Sequence, residues 1–175
     1  MQALVDTALR LGANKAVVIP AEQIVLSGEF RTICESNSCG KYGRCWMCPP
    51  HVGDIGALME RVRSFRHGLL YQTISDLEDS FDIEGMLDAG LRHAQLSQRI
   101  EKSGAFAGAH LHLTCGGCRL CARYAKLDDM PCRFPEDALP SMEAYGIDVY
   151  NTAKDTPLRY INGANTVTYF GIVLF

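Results

Sequence analysis

Thr166-Val-Thr-Tyr-Phe-Gly-Ile-Val-Leu-Phe175 is dense in β-branched and aromatic residues and nearly continuous in apolar character, as a buried strand would be. Upstream, Ile83, Met86, Leu87, Leu91 and Ala94 fall on one apolar stripe, so Ile83 to Lys102 reads as a long amphipathic helix. His93 lies on or near that helix, where a lone histidine reads as a surface or satisfied core residue rather than a ligand. Ala3 to Leu11 repeats apolar residues at helical spacing and Gly12 can end it; Ala16-Val-Val-Ile19 is then a short strand stopped by Pro20. Asp54 caps a helix running to about Phe65, and Gly68 to Ile74 reads as a strand, followed by an acidic loop from Asp76 to Asp82. His110-Leu-His-Leu113 reads as a strand with both imidazoles on one face, Ser141 caps a short turn, and Asp148 opens a helical piece through about Lys154. Helices and strands alternate, which predicts an α/β, layered single domain over 1–175 carrying two cysteine-rich loops, at 31–53 and 114–135.

The 8 cysteines fall into two groups of four. Cys115-Gly-Gly-Cys118-Arg-Leu-Cys121, with Cys132 further on, spaces three thiols at every third residue and closes with a remote fourth, as in the bacterial C-x2-C-x2-C run that wraps an iron–sulfur cluster. Three thiolates so close in sequence are awkward for one zinc ion and suit the spread corners of a cubane, and Gly116 and Gly117 let backbone amides approach the sulfurs. For this group iron–sulfur is favoured over zinc, and zinc over free thiols.

The first group, Cys34, Cys39, Cys45 and Cys48 followed by Pro49-Pro50, is less stereotyped. The segment from Arg31 to Gly53 shows neither helical nor strand period and reads as a long irregular loop, which inside a compact domain is functional or disordered. Only Cys45-x2-Cys48 looks like one half of a zinc site, while Cys48-Pro49 echoes the Cys-Pro that ends a bacterial cluster run. A second cubane, a zinc ion, or a catalytic thiol remain open in that order, as does a cluster completed by cysteines of the other loop. Tyr42, Trp46, Tyr124 and Phe134 lie beside the cysteines in sequence, where they can shield a cluster or simply pack.

Cys39-Gly-Lys-Tyr-Gly43, Cys45 to Pro50, the Cys115 to Cys132 spacing ending in Cys-Arg-Phe-Pro135, and Pro140 to Val149 together resemble a cysteine-rich prokaryotic family of predicted metal-binding proteins of unknown function. The resemblance runs from about Arg31 to Val149 and implies a metal site on the eight cysteines; it supplies no reaction.

Composition narrows the classes. A net charge of −3 argues against a nucleic-acid binder, since phosphate neutralisation needs a surplus of Lys and Arg. The N-terminal stretch does not read as a secretory signal, and no run approaches the roughly eighteen apolar residues of a spanning helix. A reducing, cytoplasmic setting is expected, in which clustered cysteines bind metal rather than pair as disulfides. The expected function is an iron–sulfur protein, with two [4Fe–4S] clusters, that transfers electrons to or reductively activates a redox partner protein or a metal cofactor. One alternative is an enzyme whose cluster keeps an open iron as Lewis acid or sulfur acceptor, with Asp128, Asp129, His110, His112 or Glu143 moving protons. The other is a structural protein in which zinc pins the two loops.

Overall fold

The computed structural model describes residues 1–175. In chain order the elements are α1 (Gln2–Leu11), β1 (Lys15–Pro20), α2 (Glu29–Glu35), α3 (Ile55–Arg63), β2 (His67–Asp76), α4 (Ile83–Glu101), β3 (Leu111–Leu113), α5 (Val149–Ala153) and β4 (Thr166–Leu174), with short 3-10 turns between. The strands form one sheet in the order β1-β2-β4-β3, every neighbour antiparallel. Helices and strands are interleaved in sequence as expected, except that α3 follows α2 directly. The long excursions between strands carry helices and loops over both faces of the sheet.

Because successive strand residues face opposite ways, β2 and β4 each feed two cores. Leu70, Phe170, Ile172 and Leu174 point to the larger one, with Val62 of α3, Leu113, Met142, Ile147 and Ala153. Leu69, Tyr71 and Val173 point to the other, under α1 and α4, with Ala8, Leu96 and Ile100. Coverage of both faces explains why the end of β4 is continuously apolar although the sheet is antiparallel. Pro20, which has no N–H to donate, sits at the end of edge strand β1 opposite His67, where no central ladder bond is lost. No helix is long and apolar enough to cross a membrane.

Local signals place most of the boundaries. Gly12 closes α1 in the left-handed conformation at φ 117°. Asp54, Asp82 and Asp148 each accept a backbone N–H at the start of α3, α4 and α5, from Ala57, Gly85 and Asn151 respectively. Ser141 does the same for the Glu143–Tyr145 turn, accepting from Ala144 N–H at 3.1 Å.

Two expectations are corrected. The segment 31–53 is not irregular throughout, because α2 extends to Glu35 and takes Cys34 into its last turn. The inward face of α4 is not the Ile83 to Ala94 stripe: Ile83 and Leu87 are 62% and 58% exposed, and the helix buries Ala89, Gly90, His93, Leu96, Ser97 and Ile100 instead. The reason is that Tyr71 and Thr73 of β2 present hydroxyls to α4, so its inner face carries Ser97 and His93 as their partners. Polar residues lowered the apparent hydrophobicity of the true inner face.

His93 is fully buried, stacked on Tyr71 with ring centroids 5.5 Å apart, its Nδ1 2.8 Å from Thr73 Oγ1. Its Nε2 is buried without a hydrogen-bond partner. Burial, aided by His112 and Arg119, lowers its pKa from 6.5 to about 4. Between those values the unfolded chain binds a proton that the folded chain does not, so stability rises with pH there and falls as pH drops from 6.5 towards 4. The expected loss at about pH 4 is roughly 3 kcal/mol from this residue. Thermal melts of wild type and His93→Gln at neutral pH and near pH 4 check this; the variant should show the shallower decline.

Candidate metal centre

The two cysteine-bearing segments lie against each other, and Gly117 is one point of close approach. A Cβ at Gly117 would stand 2.4 Å from Lys41 Cδ and 3.4 Å from Cys48 Sγ, so the missing side chain is what lets the second segment approach the first. Arg119 anchors the second segment to α4: its Nη1 donates to the Leu87 carbonyl at 3.1 Å, across the space left by Gly90.

All eight cysteines are unpaired thiols. Cys45, Cys48 and Cys118 are buried and pack together with Met47, Leu120, Tyr124 and Ala138. Cys34, Cys115, Cys121 and Cys132 are half-buried, and Cys39 is exposed. One small cavity is lined by Cys45 from the first group together with Cys118, Cys121 and Cys132 from the second. Cys115 opens instead onto a different cavity, shared with Gly116 and Glu143 and backed by Thr168 and Tyr169 of β4. No three His, Cys, Asp or Glu side chains converge to the spacing of one ion's ligands.

Of the four aromatic residues near the cysteines in sequence, Trp46 and Tyr124 line the cysteine cavity. Trp46 Nε1 donates to the Met130 carbonyl at 2.9 Å, and Lys126 Nζ stands 5.2 Å from its ring centre. Tyr124 packs on the buried thiols, donates its hydroxyl to the Cys118 carbonyl, and has Lys41 Nζ at 5.6 Å from its ring. Phe134, by contrast, is 42% exposed.

The thiols are held in two electrostatic states. The neighbouring Cys48 thiol and the Met47 and Cys118 backbone hold Cys45 well below the ordinary thiol range, while Cys45 and burial hold Cys48 above it. Burial pushes Cys118 up to about 11 and Cys115 up to about 12. Burial, then neighbouring Cys39, also raises Cys34. A buried thiol of this kind becomes a thiolate only against a positive centre, and amides aimed at sulfur are the groups that stabilise ligand thiolates. An all-sulfur donor set with these surroundings fits a soft metal ion or an iron–sulfur cluster.

A second polar assembly borders the cysteines. Glu101 at the end of α4 accepts from His112 Nδ1 at 2.9 Å and His110 Nε2 at 3.0 Å. His110 precedes β3 rather than belonging to it, yet both imidazoles reach the same carboxylate. The hydrogen bond from His112 holds the Glu101 carboxyl at about 2, while burial keeps His112 neutral by lowering its pKa. His112 Nε2 is 2.7 Å from the Tyr71 hydroxyl, whose oxygen is also 2.7 Å from Ser97 Oγ; Ser97 Oγ is 2.9 Å from Thr114 Oγ1. The chain of groups thus runs from a cleft of about 360 Å³, lined by Glu101, His110, His112, Trp46 and Arg61, to the residue before Cys115. Hydrogen-bonded groups in this order can polarise one another and pass a proton.

The other proton-carrying candidates differ. Asp128 and Asp129 are exposed and paired with Arg123, at 2.7 Å, and Lys126. Glu143 is largely enclosed, its carboxyl raised by burial, within electrostatic reach of both Cys34 and Cys115. Glu101, Tyr71 and Ser97 are the residues that sequence reading missed. Only the i to i+4 spacing of His93, Ser97 and Glu101 on one helix offered a signal.

The chain finds no significant match among curated proteins or among solved structures. A family model described as predicted metal-binding protein (DUF2284) matches residues 17–175, and so covers both cysteine groups, the α4 histidine network and all of the sheet but the first strand's opening residues. With a match over that span, and eight cysteines in the chain, the protein belongs to this family of predicted metal-binding proteins.

Proposed function

We propose that the eight cysteines hold two [4Fe–4S] clusters and that the protein passes electrons to a redox partner protein or to a metal cofactor, in a reducing, cytoplasmic compartment. The observation that carries this reading is the set of sulfur donors from two separate segments around one cavity lined by Trp46 and Tyr124. Clusters of this type supply one-electron transfer at potentials set by hydrogen bonds to sulfur and by exposure. The chain's own part is to tune and insulate. The Met47 and Cys118 backbone stabilises charge on the Cys45 sulfur, and Tyr124 and Trp46 exclude water. Lys41 and Lys126 place positive charge beside the same aromatic rings, which favours the reduced, more negative state. Protein purified without oxygen should show broad visible absorbance that dithionite bleaches and a mild oxidant restores; a spectrum unchanged by dithionite would contradict electron transfer.

Structural zinc is the second reading, and one observation favours it. The cavity shared by Cys45, Cys118, Cys121 and Cys132 measures about 20 Å³, nearer the size of a single ion than of a cubane, and its thiols must draw together to ligate one. Zinc would leave the protein colourless and silent to dithionite.

A further inference from the structure

We infer that the eight cysteines sort into metal sets that cross the two sequence groups: Cys45, Cys118, Cys121 and Cys132 form one set, and Cys34, Cys39, Cys48 and Cys115 the other. The inference rests on reading the cysteines as metal ligands, and holds whichever metal they take.

The first set is the one whose members line a common cavity. Cys118 is the hinge of it. It is buried against Cys45 and lines the same cavity as Cys121 and Cys132. Cys115, nearest to Cys118 in sequence, faces elsewhere. Gly116, at φ 63°, turns the backbone between them through the left-handed region, so that Cys115 opens onto the cavity beside Glu143 and Cys118 onto the other.

The second set follows from that cavity. Glu143 stands within reach of both Cys115 and Cys34, and α2, which carries Cys34, packs on the turn Glu143–Tyr145. Cys39 and Cys48 complete this set by number, since four other thiols line the first cavity and Cys115 lines Glu143's cavity. Cys48 in turn lies against Gly117, in the segment of Cys115. Cys45 and Cys48 therefore divide between the sets although they touch. A compact C-x2-C pair bridging two centres parallels the two-cluster bacterial run, whose last cysteine serves the neighbouring cluster.

Paired serine substitutions separate this arrangement from one in which each sequence group binds its own metal. Cys45→Ser with Cys118→Ser strikes a single set here and should leave about half the wild-type metal. Cys48→Ser with Cys115→Ser, striking the other set alone, should do the same and carries the contrast if the first variant fails to accumulate. Cys45→Ser with Cys48→Ser strikes both sets and should leave almost none. Iron, zinc and acid-labile sulfide are counted per chain for each, with far-UV circular dichroism showing that the chains remain folded. The reverse ranking, with the Cys45 and Cys48 variant retaining half, or equal loss in all three, overturns the crossed sets while leaving metal binding intact. Wild-type protein without metal overturns both the crossed sets and the reading they rest on.

Discussion

Replacing Gly171 by valine is expected to abolish a stable fold, the largest effect predicted for any single substitution here. Gly171 of β4 lies directly opposite Tyr71 of β2, and a Cβ at Gly171 would fall 2.2 Å from the Tyr71 hydroxyl oxygen and 2.3 Å from its Cζ. The ring cannot swing aside. It is fully buried, stacked on His93, and bonded through its hydroxyl to Ser97 and His112. Overpacking alone costs about 1–3 kcal/mol, and stranding two buried partners of the hydroxyl adds about 1–3 kcal/mol for each. The sum approaches the roughly 5–15 kcal/mol that holds a typical domain together. The cost of losing the hydroxyl alone is smaller, so Tyr71→Phe should fold and melt lower than wild type by about 3–10 °C. Shortening the ring in the same chain, Gly171→Val with Tyr71→Ala, should recover folded protein that Gly171→Val lacks; thermal melts and soluble yield of the three variants decide it.

Gly117→Val is expected to strip metal without unfolding the chain. The position is in the loop segment, away from both cores, so the sheet and α4 should persist. What it loses is the approach of the two cysteine segments, since the new side chain meets Lys41 and then the Cys48 sulfur. Metal per chain should fall to less than half of wild type, with an unchanged far-UV spectrum. Lys41 is a flexible chain end, so Lys41→Ala in the same background should restore part of the metal; the Cys48 contact at 3.4 Å remains and prevents full recovery. Metal content equal to wild type in Gly117→Val would mean that the two segments bind independently, contrary to the contact on which the site is built.

The parts of this fold that sequence reveals are those governed by local chemistry. Thr166–Phe175, the caps Asp54, Ser141 and Asp148, and the stop at Gly12 act through near neighbours, and each appears where expected. What escapes is set by partners distant in sequence. The inner face of α4 is chosen by hydroxyls on β2, so an apolar stripe through Ile83, Leu87 and Leu91 pointed outward instead. Cys34 entered a helix because residues 29–35 pack on the Glu143–Tyr145 turn, more than a hundred residues away in sequence. The candidate site divides in the same way. Thiol spacing marked every cysteine, yet which sulfurs face one another depends on Gly116 and Gly117, whose roles lie in a turn and a close approach that spacing does not encode. Glu101, joined to His110 and His112 across separate elements, left no pattern between α4 and β3 beyond its helical phase with His93.

The proposed iron–sulfur clusters are tested by counting iron, zinc and acid-labile sulfide per chain in protein purified without oxygen. About eight irons with matching sulfide, as two cubanes require, is the predicted result. Two zinc ions per chain with no sulfide would contradict it and make the cysteine segments a scaffold held by metal.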